Sequence, residues 1–146
     1  MNITYRMVSF RHAMAFFVLL SLSVLIPGRS HAAEVQDAPV AIPATSAAIW
    51  QAIDREIAAL DKVIATGKLE AAHHHAFAVR DLVNALPSKS TALKAAQLTQ
   101  IKSGGKFVST LAARVDASGD ANNKSETAAN VQKLKDQLKA IRANYK

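Results

Sequence analysis

The chain contains no cysteine. That excludes disulfides, Cys-ligated zinc, iron–sulfur clusters, thiol catalysis and covalent c-type haem attachment. Proline (four) and glycine (five) are too scarce in 146 residues for a turn-dense all-β fold. Acidic residues are the minority: 11 Asp and Glu against 18 Lys and Arg, a formal +7. Taken alone, that excess points to a polyanionic partner.

There is one long apolar run, and it lies near the start. Ala13 to Ile26 reads AMAFFVLLSLSVLI, preceded by Arg6, Arg11 and His12 and followed by Pro27-Gly28. Ser30-His31-Ala32 then places small residues at −3 and −1 of a cleavage site. Basic, apolar, small is the order of a secretory signal peptide, assigned here to residues 1–32. Fourteen apolar residues make about 21 Å of helix, short of the roughly 30 Å hydrocarbon core. An uncleaved anchor is the alternative; with cleavage, the membrane matters only before the signal is removed. An exported protein without cysteine suits the bacterial periplasm.

Arg6, Arg11 and Arg29 leave with the signal, so the remainder has fifteen basic residues against eleven acidic ones, a net +4. The charge is also divided. Residues 33–88 hold four basic and seven acidic residues, whereas residues 89–146 hold eleven and four. An acidic first half and a basic second half argue against a nucleic-acid surface, and no nucleic-acid partner is expected.

Residues 33–45, with Pro39 and Pro43, lack helical periodicity and read as a flexible leader. The rest, 46–146, reads as four helices. Trp50, Ile53, Ile57, Leu60 and Ile64 recur every three or four residues, predicting a helix over 46–66, capped by Thr45 or Ser46 and ended at Gly67. Leu69, Ala72, Ala76, Val79, Val83 and Leu86 predict a second over 69–85, ended by Pro87. Leu93, Gln97, Ile101, Gly104, Val108, Leu111 and Val115 predict a third over 90–117 that runs through Gly104-Gly105 without loss of phase. Two shorter helices are the alternative there. The stretch 116–123 reads as a capping loop rather than a calcium loop, because Gly119 and Thr127 stand where such a loop needs other residues. Val131, Leu134, Leu138, Ile141 and Tyr145 predict a fourth helix over 124–144, with Asn123 and Glu126 as a capping pair. Short connections predict an all-α, up-down-up-down four-helix bundle. Twenty-six alanines from residue 33 on imply close helix approach and a thin core.

The histidines beyond residue 32 are His73, His74 and His75, in one run. Consecutive helical residues differ by about 100°, so three fan over about 200° and cannot all bind one ion from a regular helix. His75 falls on the apolar side and His73 at the stripe's other edge, while His74 points outward after Glu70. If the first hairpin turns at Gly67-Lys68, Asp61 falls beside His73 or His74, and Asp54 beside Arg80 or Asp81. His73, His74 and His75, assisted by Asp61 and Glu70, are therefore the candidate ligands for a divalent transition metal such as Cu, Zn, Ni or Co. The competing reading makes them structural: His75 buried and hydrogen-bonded, His74 paired with Glu70. No haem is expected, since a second axial ligand would need methionine or another histidine-bearing helix. Nor do the residues form a nucleophile–base pair, a phosphate-binding loop or a dinucleotide fingerprint, so no enzyme is expected.

The run His73-His-His-Ala-Phe-Ala-Val-Arg-Asp-Leu-Val83, with Trp50-Gln-Ala-Ile-Asp54, Leu60-Asp-Lys-Val-Ile64 and Asp116-Ala-Ser-Gly-Asp120, resembles small periplasmic helical proteins of Gram-negative bacteria associated with heavy-metal efflux systems. The likeness covers residues 46–120. It implies a periplasmic accessory protein that binds or senses a divalent metal in metal resistance, with an efflux component as a partner. The alternative is a metal-free periplasmic adaptor or stress-response module.

Overall fold

A computed structural model describes residues 40–146. The expected signal peptide and residues 33–39 of the leader lie outside the described residues. Helix α1 spans Ser46–Thr66, α2 Ala72–Lys89, α3 Ala95–Asp120 and α4 Lys124–Arg142, with single 3-10 turns at Leu69–Ala71 and Ala143–Tyr145. No strand occurs among the described residues. None of their helices is long and apolar enough to cross a membrane.

Local chemistry sets the ends of α1. The Thr45 hydroxyl accepts from the Ala48 N–H at 3.2 Å. Gly67 takes the left-handed conformation (φ 74°), and the N–H groups of Gly67 and Lys68 close on the carbonyls of Ile64 and Val63.

The other boundaries depart from the periodicity in three places. Leu69–Ala71 is a 3-10 turn rather than the first turn of α2. α2 continues past Pro87 to Lys89. Proline withdraws one helical N–H, but only Ser88 and Lys89 follow it in the helix, and the Ser88 and Ser90 hydroxyls donate to the carbonyls of Ala85 and Leu86. Ser90 thus closes α2 instead of opening α3, and α3 starts five residues later than its apolar stripe suggested. At its far end α3 runs through Asp116 to Asp120, where a loop was expected. Ser118 bonds back to the carbonyls of Arg114 and Val115, and Gly119 is buried, so tertiary packing overrides the turn-like composition. Only residues 121–123 connect α3 to α4. Asn122 (φ 51°) ends one helix, and the Asn123 side chain accepts from the Glu126 N–H to begin the next.

Successive helices pack antiparallel: α1 on α2, α2 on α3 and α3 on α4, with α1 and α4 in much lighter contact. The direction of α4 against α1 is fixed by contacts at both ends. Lys124 reaches the Ala65 carbonyl, while Arg142 meets Asp54. The core is aliphatic. Ile49, Ile53, Leu60, Leu82, Leu86, Ile101, Leu134 and Ile141 are almost fully buried, with alanines between them. The predicted apolar stripes supply most of it; Ile49 and Val63 are additional members on α1. The indole N–H of Trp50 is buried without an acceptor among the described residues.

α3 is the central helix because part of its surface is backbone. A Cβ on Gly104 would stand 2.6 Å from Cγ1 of the buried Ile141, so α4 lies directly against the α3 main chain. A Cβ on Gly119 would stand 2.8 Å from the Leu69 carbonyl oxygen and 3.3 Å from the Ala72 Cβ. On Gly105 it would press on the exposed Asn84 amide oxygen at 3.0 Å, with Val83 Cγ1 at an ordinary contact distance of 3.8 Å. Alanine favours helix by about 1 kcal/mol over glycine, whereas overpacking costs about 1–3 kcal/mol. Gly105→Ala should therefore be neutral or raise the melting temperature, because Asn84 can swing aside. Gly104→Ala and Gly119→Ala should each lower stability, by up to about 2 kcal/mol net. Thermal unfolding followed by circular dichroism checks both signs.

Candidate metal centre

The three histidines begin α2, directly after the 3-10 turn, and each faces a different neighbour. His75 points to α1: its Nδ1–H donates to Glu56 Oε2 at 2.8 Å, with both side chains about one-third exposed (31% and 30%). The partner is one helical turn from the one the assumed hairpin register gives.

His73 turns towards the end of α3. Its Nδ1–H donates to the Glu70 carbonyl oxygen at 2.9 Å. When neutral, the ring then carries its lone pair on Nε2. One ligand atom of His73 and one carboxylate oxygen each from Asp116 and Asp120 lie within 4.8 Å of one another, and this is the group of potential metal ligands found among the described residues. The His74 ring lies against that of His73, with centroids 3.7 Å apart and planes at 42°.

Of the residues singled out from sequence, the structure brings His73 and His74 to this place. His75 is tied to Glu56 on α1. Glu70 serves His73 through its main-chain carbonyl. Asp61 is held at 2.6 and 2.7 Å by Lys135 of α4. Asp54 pairs with Arg142 at 2.6 Å, and Arg80 with the adjacent Asp81 at 2.7 Å while lying over Phe77. Sequence reasoning missed Asp116 and Asp120, having assigned them to a loop. The available signal was their i, i+4 spacing, which puts two carboxylates on one face once the segment is helical.

Packing assembles the site. Leu69 is buried in the 3-10 turn, and the bare backbone of Gly119 lies against its carbonyl. That contact seats the last turn of α3, and with it Asp116 and Asp120, beside the first turn of α2. Without a cation, three local forces oppose these carboxylates. They repel each other across one helical turn, they sit at the negative end of the helix dipole, and Asp116 is half-buried. The Asp116 carboxyl is accordingly raised above the usual range, by desolvation first and by the Asp120 charge second, with His73 acting the other way. Two carboxylates and one imidazole make a donor set for a borderline divalent ion.

Comparison with known protein families, with characterised proteins and with solved structures finds no match to this chain.

The raised pKa of Asp116 has a signed consequence for stability. A carboxyl whose pKa is higher in the folded state favours folding when protonated, and that contribution is lost as the pH rises through the folded value. In metal-free protein, Asp116→Asn should therefore be more stable than the parent at neutral pH. The difference should shrink as the pH falls through the carboxylate range, as urea unfolding at a series of pH values would show. Asp120→Asn should bring the Asp116 titration, followed by carbonyl NMR, back towards the ordinary value.

Proposed function

We propose that the protein is a periplasmic accessory protein that binds or senses a divalent transition metal in metal homeostasis or resistance. In this reading residues 1–32 direct export and are removed, and the four helices act as an up-down-up-down bundle holding the ion at one end. The observation that carries it is the convergence of His73 with Asp116 and Asp120, two carboxylates placed where helix electrostatics disfavour them. A divalent cation answers all three penalties at once. It neutralises the pair, opposes the negative end of the dipole and supplies coordination in place of lost hydration.

His73, Asp116 and Asp120 are the primary ligands of this proposal, with the His74 ring lying against that of His73. Glu70 orients the His73 ring through its carbonyl, as outer-shell acceptors of metal-bound histidines do. The donor set suits Zn, Ni, Co or Cu(II). The resemblance to proteins of heavy-metal efflux systems supports the same reading and suggests an efflux component as the partner. No catalytic role is part of the proposal.

Calorimetric titration of tag-free protein with Zn, Ni, Co and Cu(II) tests it. One site is expected. Its affinity should weaken as the pH falls, because imidazole ligates only when neutral and the raised carboxyl of Asp116 takes up a proton sooner than an ordinary one. His73→Ala and the Asp116→Asn/Asp120→Asn pair should each abolish binding. Asp61→Asn should leave it intact, because Asp61 is engaged by Lys135. Absence of binding by the parent protein, or binding unchanged in those variants, sinks the proposal.

The second reading, a metal-free helical adaptor with structural histidines, has one observation in its favour, the His75–Glu56 pair. Being partly exposed, that pair should show a coupling of only about 0.2–1 kcal/mol in a His75→Ala/Glu56→Ala double-mutant cycle. It should contribute whether or not metal is present.

A further inference from the structure

The lightly packed seam between α1 and α4 contains a cleft of about 350 Å³, at the lower end of the range of about 300–1,000 Å³ usual for small-molecule sites. Its apolar lining is Ile53 and Ile57 from α1 and Leu138 from α4. Its polar lining is strongly one-signed. Lys135, Lys139, Arg142 and Lys146 surround it, against the single carboxylate of Asp54. Lys135 is engaged by Asp61 and Arg142 by Asp54, but Lys139 and Lys146 have no ion-pair partner among the described residues. The Arg142 guanidinium is also fixed in place, 4.3 Å above the Trp50 ring. An apolar floor beneath a rim of cations matches a ligand with an apolar body and one anionic head.

We propose that this cleft binds a single anionic amphiphile, a long-chain carboxylate, with its chain on Ile53, Ile57 and Leu138 and its head between Lys139, Arg142 and Lys146. Charge complementarity selects the head. The modest volume selects one monomeric molecule over a protein helix or a bilayer surface. The site is independent of the metal proposal, since none of its residues belongs to the His73 cluster.

Trp50 is the only tryptophan of the chain, and its ring is stacked on a residue of the cleft, so its emission reports occupancy. Dodecanoate, added to the purified protein below its micelle concentration, should change Trp50 fluorescence saturably and bind one to one by calorimetry. Dodecyltrimethylammonium should not bind, which tests the charge selection. Lys139→Glu, on an exposed residue that the fold does not need, should weaken dodecanoate at least tenfold. Phe107→Ser, which removes the large exposed aromatic of α3 that lines other surface grooves, should leave it unchanged. The proposal is overturned by any of four results: no saturable dodecanoate binding, equal binding of the cationic amphiphile, indifference to Lys139→Glu, or dependence on Phe107. Binding to phosphatidylglycerol vesicles without binding of monomeric dodecanoate would also overturn it, in favour of a membrane surface.

Discussion

Close backbone approach along α3 is the constraint on which the rest of the structure depends. Gly104 admits Ile141 of α4, and Gly119 admits the Leu69 carbonyl at the start of α2. In an alanine-rich chain with few large core residues, these contacts bring helices near enough for small side chains to exclude water. They also make the arrangement asymmetric. α3 is gripped from two sides, whereas α1 and α4 are in much lighter contact. The tight side supports the histidine–carboxylate cluster and the loose side contains the cleft, so both candidate sites follow from where backbone contact is and is not possible.

Charge follows the same division. The acidic first hairpin and the basic second one meet at the α1–α4 seam through Asp54–Arg142 and Asp61–Lys135. Exposed pairs of this kind contribute little to stability individually, about 0–1 kcal/mol each. Their larger consequence is for which groups remain available. They occupy two of the acidic residues of the first hairpin, one of them a ligand candidate from sequence. Part of the cationic excess of α4 stays unneutralised beside an apolar floor. The overall +7 of the chain therefore says little about a partner; the placement of Lys139 and Lys146 says more.

The four helices were legible because each carries an apolar stripe of helical period, and because Thr45, Gly67 and Asn123 are chemically suited to the ends where they stand. Boundaries decided by tertiary contact were not legible. Nothing in the composition of Asp116-Ala-Ser-Gly-Asp120 reveals that a buried glycine and a back-bonded serine keep it helical. Proline at position 87 is a strong local stop signal that two nearby serines outweigh. The candidate site divides the same way. His73 could be found from sequence because the histidine run is conspicuous. Asp116 and Asp120 could not be joined to it, because their proximity depends on the register of α3 against α2. The partner of His75 lies one turn from its expected place for a similar reason, since the register of α2 against α1 is set by packing and cannot be read from periodicity.

Local rules and tertiary placement normally agree in a folded protein, and a disagreement without structural benefit marks where function has intervened. The pair Asp116 and Asp120 runs against the local rules for a helix end. As part of a helix end, lysine or arginine would serve better at either position, by favourable interaction with the dipole and by relief of the mutual repulsion. As solvated surface, Asp116 would not be half-buried with its carboxyl pushed towards the neutral form. The adjacent His73 imidazole, its Nδ1–H held by the Glu70 carbonyl, lies within reach of both carboxylates. By contrast, the His75–Glu56 pair is explained by ordinary interhelical hydrogen bonding. Within one run of three identical residues, the physical environment thus separates a histidine held by an interhelical hydrogen bond from one that stands beside two carboxylates.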